Sequence, residues 1–83
     1  MIYDALDISK YIIVRAYELG DFVSNLKLQK LLYFVQAEFM IEEGCPCFYN
    51  KIEAWAFGPV IPDVYDKYKM FGSGSVPIVI EPR

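Results

Sequence analysis

The longest helical pattern in the chain runs from Ser24 to Glu43, and its apolar residues fall on two sides of a helix. At about 100° per residue, one apolar face contains Leu28, Leu31, Leu32, Val35 and Phe39. The opposite face contains Leu26, Tyr33, Phe34, Ala37, Met40 and Ile41. Two narrow polar seams separate the faces, one formed by Gln29, Gln36 and Glu43 and the other by Lys27, Glu38 and Glu42. Such a pattern predicts a central helix that is buried along both apolar faces.

The segment before the central helix predicts a first helix over Ile8–Leu19. Asp4 and Asp7 are both suitable N-caps, and Gly20 supplies a C-terminal stop. The link of residues 21–23 is short, which favours antiparallel packing of the first two helices.

The chain after the central helix is less regular. Phe48–Phe57 alternates only partly between apolar and polar residues, so a strand and an irregular hairpin fit its pattern equally well. Gly58-Pro59 then predicts a fixed turn, with a positive φ at the glycine, that aims a third helix back across the central one. That third helix is expected to start at Pro62, because the fixed φ of proline suits a first helical turn. The predicted fold class is mainly α, with a three-helix core around a two-sided central helix and a short irregular or β-like segment after it.

The last part of the chain predicts a flexible link followed by an extended segment. Residues 72–75 read GSGS, which is typical of a flexible linker. Val76–Ile80 is apolar and β-branched, but Pro77 inside it lacks a backbone donor, which favours an edge strand or an extended tail. An apolar run after such a link suggests that residues 1–83 form a single domain that is the N-terminal portion of a longer one.

The composition contains more apolar residues than the core of one small domain requires. The 83 residues are 55% hydrophobic and 17% aromatic, which is more than so small a domain can easily bury. Two explanations remain open: the surplus forms a protein interface, including one between copies of the chain, or a missing continuation covers it. The net charge of −3 and the scattered basic residues argue against direct nucleic-acid binding. Without a signal-like leader or an apolar run that could span a bilayer, a cytoplasmic protein is expected.

Candidate chemistry is sparse. The chain has no His and two Cys, so Cys45 and Cys47 fall short of the four ligands of a zinc site and are expected to be reduced thiols. The acidic pairs Glu42–Glu43 and Asp63–Asp66 lie at predicted helix ends, where solvated charges are ordinary. These observations predict no catalytic site, metal or cofactor, and favour a binding or structural module over an enzyme.

Two stretches together resemble a known family. Residues 28–33 read LQKLLY and residues 53–60 read EAWAFGPV, with Pro62, Val64 and Tyr65 continuing the pattern. In this order and spacing they resemble the Panacea domain, which is found in SocA-like antitoxins and in proteins labelled phage-associated. The resemblance extends from the first helix to Gly72. The second half of the family domain, with further helices and a Leu-Thr-His-like motif, has no counterpart in this sequence.

The resemblance implies a bacterial or prophage protein that neutralises a toxin by binding it directly, either blocking it or presenting it to a protease, without enzymatic activity. The alternative is a phage-associated structural or regulatory protein that holds a different partner. The residues expected to bind the partner are Gln29, Lys30, Tyr33, Gln36, Trp55 and Tyr65. For Trp55 and Tyr65 a place in the core is the other interpretation.

Overall fold

The computed structural model describes residues 2–78, and its order of elements confirms the predicted fold class. The helices are α1 (Ala5–Glu18), α2 (Asn25–Glu43) and α3 (Pro62–Tyr68), and α3 continues into a 3-10 turn at Lys69–Phe71. Between α2 and α3 lie two short strands, β1 (Glu53–Trp55) and β2 (Gly58–Val60). The segment after the central helix is therefore a small hairpin.

Local capping sets the ends of the first two helices. The Asp4 carboxylate accepts a 3.0 Å hydrogen bond from the backbone N–H of Leu6, so α1 begins three residues earlier than the predicted start. Ser24 caps α2 by accepting a 3.2 Å hydrogen bond from the backbone N–H of Lys27. At the other end, Gly44 takes a left-handed conformation with φ of 73°, which terminates the helix.

The hairpin turn lies two residues earlier than the sequence suggests. β1 and β2 are antiparallel, with Glu53 opposite Val60 and Trp55 opposite Gly58, so the turn lies at residues 56 and 57. The prediction that Gly58-Pro59 forms the turn is therefore wrong in position, because these two residues begin the returning strand. The positive φ predicted for Gly58 is confirmed at 122°.

The core lies on one side of α2, where α1, β2 and α3 all contact it. Leu28 and Leu32 are completely buried there. Leu31, Val35 and Phe39 are partly buried against the same core. The other buried apolar residues are Ala5, Ile13, Val23, Cys47, Phe48, Val60, Ile61, Val64, Tyr68 and Val76.

The second apolar face of α2 is left mostly open by residues 2–78. Phe34 and Ile41 are 62% and 78% exposed, while Leu26, Tyr33 and Met40 are 41%, 48% and 46% exposed. The prediction that α2 is buried along both apolar faces is therefore wrong for the described residues. The physical reason is that the segment after α2 is bound to the same side of the helix as the core, through side-chain hydrogen bonds detailed below.

The end of the described chain returns to the loop between α1 and α2. The backbone N–H of Val76 donates a 2.8 Å hydrogen bond to the carbonyl of Val23, and both side chains are buried. Residues 72–75 form turns rather than a plain linker, since the N–H of Gly74 bonds the carbonyl of Phe71. The predicted extended segment is described only to Ile78, and residues 79–80 of that prediction lie outside the described range.

Candidate partner-binding surface

Gln29 lies inside the fold and joins α2 to the start of α3. Its side-chain Oε1 accepts a 2.9 Å hydrogen bond from the backbone N–H of Ile61, and its Nε2 donates to Oδ1 of Asn25 at 2.9 Å. Asn25 in turn donates from Nδ2 to the backbone carbonyl of Tyr65 at 3.1 Å. Because Gln29 is only 1% exposed, these bonds replace those it would make to water. These hydrogen bonds fix the position at which the strand β2 continues into α3.

Gln36 binds the beginning of the segment that connects α2 to α3, whose end is bound by Gln29. Its Oε1 accepts hydrogen bonds from the backbone N–H groups of Cys47 and Phe48 at 2.8 and 3.2 Å, and its Nε2 donates to the Phe48 carbonyl at 2.8 Å. Gln29 and Gln36 are seven residues apart, about two helical turns on one side of α2. This polar seam is therefore an internal connection that holds both ends of residues 47–61 against α2.

An aromatic cluster forms where the hairpin meets α3. The ring of Trp55 packs edge-on against Tyr65 with centroids 4.9 Å apart, and against Phe57 at 5.7 Å. The indole N–H of Trp55 donates a 2.9 Å hydrogen bond to the carboxylate of Glu53. This bond, together with the Lys51 ammonium, lowers the pKa of Glu53 below its ordinary value. Trp55 is therefore held in one orientation while part of its ring remains accessible.

Tyr33 extends this cluster onto α2. It is 48% exposed and lines the same shallow depression as Trp55, Gly58 and Pro59. Phe57, at the tip of the hairpin, is 45% exposed. We call the continuous patch formed by Tyr33, Trp55, Phe57 and Tyr65 the hairpin surface.

The six residues predicted to bind a partner thus separate into three groups. Gln29 is buried, and the polar groups of Gln36 are bonded within the chain, so neither belongs to the hairpin surface. Tyr33, Trp55 and Tyr65 lie together on that surface. Lys30 is exposed on the outer side of α2, and no ion pair joins it to another described residue. Partner binding by these residues stays a prediction.

Sequence reasoning missed Asn50, which links the starts of α1 and α3. Its Oδ1 accepts a 2.9 Å hydrogen bond from the backbone N–H of Ala5. Its Nδ2 donates to the carboxylate of Asp63 at 2.9 Å and to that of Asp4 at 3.3 Å. The two aspartates were recognisable as helix-start residues, but a shared partner in an irregular loop carries no periodic signal.

The thiols differ in environment. Cys45 is exposed and Cys47 is buried, and both are free. Burial raises the pKa of the Cys47 thiol, and the neighbouring Cys45 adds to the shift. Among residues 2–78, no group of three or more His, Cys, Asp or Glu is placed to hold a metal ion. No helix in that range has the length and apolar character needed to cross a membrane.

Comparison with known proteins places these features in a family context. The family model described as "Antitoxin SocA-like, Panacea domain" matches residues 28–81, which include both glutamines and the hairpin surface. The curated protein "Antitoxin SocA" of Caulobacter vibrioides (strain NA1000 / CB15N) is 44% identical over 62 residues, which are 75% of this chain and 33% of that protein. The chain therefore spans about a third of the length of this relative. No solved structure gives a significant match.

Proposed function

Because this chain belongs to the antitoxin SocA-like Panacea domain family, we propose that it is an antitoxin-type binding module that neutralises a partner toxin by direct protein contact. The observation that carries the proposal is the hairpin surface. It is a partly exposed aromatic patch that lies within the part of the chain that the family model matches.

The hairpin surface is suited to binding because it is held in place before a partner arrives. Trp55 is oriented by Glu53 and by the ring of Tyr65, and the backbone beneath it is anchored to α2 through Gln29. Trp and Tyr are enriched among the few residues that dominate the energetics of protein interfaces. A side chain that is already ordered loses less conformational entropy on association, so this arrangement favours tight contact.

Recognition, not catalysis, is the chemistry that the surface supports. Glu53 is the carboxylate that lies beside this surface, and the hydrogen bond from Trp55 lowers its pKa, which favours the ionised form. A carboxylate that is ionised and already bonded to an indole N–H is poorly suited to donate a proton. The role of Glu53 on this surface is to orient Trp55. The toxin is neutralised because the hairpin surface binds it and blocks part of its surface.

The proposal is tested by co-expressing the chain with a small toxin-like reading frame beside its gene, and scoring growth rescue and co-purification. Phe57→Ala and Tyr33→Ala should each weaken both readouts while leaving the melting temperature nearly unchanged, because both side chains are about half exposed. Tyr11→Ala is the matched control, since Tyr11 is 67% exposed on α1 and lies outside the hairpin surface.

Two results would overturn the proposal. If the unaltered chain neither rescues growth nor co-purifies with any neighbouring product, toxin neutralisation fails as its function. If Phe57→Ala and Tyr33→Ala both rescue and co-purify as well as Tyr11→Ala, the hairpin surface is not the interface.

A further inference from the structure

A second unpartnered surface lies on α2, beside the hairpin surface but on the outer side of the helix. We call it the outer ridge, formed by Lys30, Phe34, Ala37, Glu38 and Ile41, all of them exposed. Phe34 and Ile41 are among the most exposed large apolar side chains in the described chain, at 62% and 78%. An exposed apolar stripe of this kind on a long helix marks an interface.

The charges along α2 are arranged in an unusual order. Lys27 and Lys30 lie near the N-terminus, while Glu38, Glu42 and Glu43 lie near the C-terminus. No acid occupies the first turn and no base the last. Because a helix carries partial positive charge at its N-terminus and partial negative charge at its C-terminus, this order is unfavourable within one helix.

The two charges of the outer ridge, Lys30 and Glu38, lack an ion-pair partner within residues 2–78, in contrast to the neighbouring Lys27. Lys27 forms a 3.5 Å ion pair with Asp21. Neither Lys30 nor Glu38 forms an ion pair with any residue of the range 2–78. They lie eight positions apart on α2, about 12 Å along its axis, which is too far for them to pair with each other.

We propose that the outer ridge binds the outer ridge of a second copy of this chain, with the two α2 helices antiparallel about a two-fold axis near Phe34. Lys30 and Glu38 lie four residues on either side of Phe34, about 6 Å along the helix in opposite directions. The two-fold axis therefore places Lys30 of each copy beside Glu38 of the other, and Phe34 against Phe34.

Self-complementarity is what favours a second copy over another protein. A two-fold interface brings the same patch of both subunits together, so its charges must complement themselves. The outer ridge meets this condition because it carries one charge of each sign, equally spaced from an apolar centre. Antiparallel pairing also brings the lysine-bearing half of one helix alongside the glutamate-bearing half of the other, which relieves the unfavourable charge order within each helix.

The experiment is a charge-reversal series of the 83-residue chain in analytical ultracentrifugation. Lys30→Glu and Glu38→Lys should each weaken dimerisation about tenfold, because each variant places two like-charged pairs in the interface. The decisive sample is a 1:1 mixture of the two variants. In a heterodimer every Glu faces a Lys, so the mixture should recover the parent affinity.

Phe34→Ala provides an independent check, since it removes the apolar centre without changing charge and should leave the chain monomeric. The proposal is overturned if the unaltered chain stays monomeric, or if either charge reversal dimerises as tightly as the parent. It is equally overturned if the mixture dimerises no better than its components. None of these measurements involves a toxin, so their failure would leave the proposed function standing.

Discussion

The backbone N–H of Ile61 donates a 2.9 Å hydrogen bond to the side chain of Gln29, although the two residues are 32 positions apart. Ile61 is the N-cap of α3 and provides no side-chain cap of its own. The α2 glutamine therefore satisfies a donor at the junction where α3 begins. This single contact positions both the returning strand of the hairpin and the third helix relative to α2.

Gln29→Ala should lower the free energy of unfolding by roughly 1–3 kcal/mol, because it leaves the Ile61 N–H and the Asn25 side chain without their buried partner. Urea unfolding measures the loss. Glu42→Ala, an exposed change on the same helix, should stay within about 0.5 kcal/mol of the parent. Equal stability of the two variants would contradict the role assigned to Gln29.

Gly58→Ala should destabilise the chain by about 1–3 kcal/mol through backbone strain alone. Gly58 has a φ of 122°, yet an added Cβ would meet no atom within 4 Å. Gly58→Val should cost more, since β-branched residues tolerate positive φ especially poorly. The control is D-alanine at position 58 of a synthetic chain, which accepts positive φ and should restore stability. A D-alanine chain as unstable as the L-alanine one would point to crowding instead of strain.

Leu32→Ala and Phe34→Ala should separate the two sides of α2. Leu32 is fully buried, so its truncation should cost on the order of 2–5 kcal/mol. Phe34 is 62% exposed, so its truncation should change the free energy of unfolding by less than about 0.5 kcal/mol when the chain is monomeric. Thermal or urea unfolding of both variants at low concentration gives the comparison. Similar large losses at both positions would show that the outer face is covered after all.

Glu53 should make the hairpin sensitive to acid. Its pKa is lowered in the folded chain, first by the hydrogen bond from Trp55 and then by Lys51. A carboxyl with a lower pKa in the folded state stabilises it above the unfolded pKa, and this contribution disappears as pH falls through the folded pKa. The melting temperature of the parent should therefore drop more steeply below the ordinary Glu pKa of 4.5 than that of Glu53→Gln. Parallel curves for the two proteins would rule out this contribution.

Much of the fold could be predicted from local signals. The caps at Asp4 and Ser24, the stop at Gly44 and the proline at position 62 all mark helix ends through chemistry that acts within a few residues. The positive φ at Gly58 was also predictable, because the Gly-Pro pair is a strong breaker signal. The turn itself was misplaced by two residues, since Ala56 and Phe57 carry no turn signal of their own.

The burial of α2 could not be predicted from its periodicity. Hydrophobic spacing shows which residues share a face, but it does not show which face the rest of the chain covers. That choice depends on Gln29 and Gln36, whose side chains bind backbone groups 32 and 12 positions away. In sequence, a polar seam on a helix indicates solvent or a partner, so the internal role of the two glutamines was invisible.

The hydrogen bonds that tie the chain together differ widely in the length of loop they close. Gln36 reaches Phe48 across 12 positions, whereas Asn50 reaches Ala5 across 45. Closing the longer loop costs about 1 kcal/mol more in chain entropy. We therefore expect residues 25–61 to assemble first, as a unit that already contains Tyr33, Trp55 and Phe57 of the hairpin surface. The N-terminal helix α1 would then pack onto that unit last. The sequence separations that the Gln36 and Asn50 hydrogen bonds span thus set the expected order of folding.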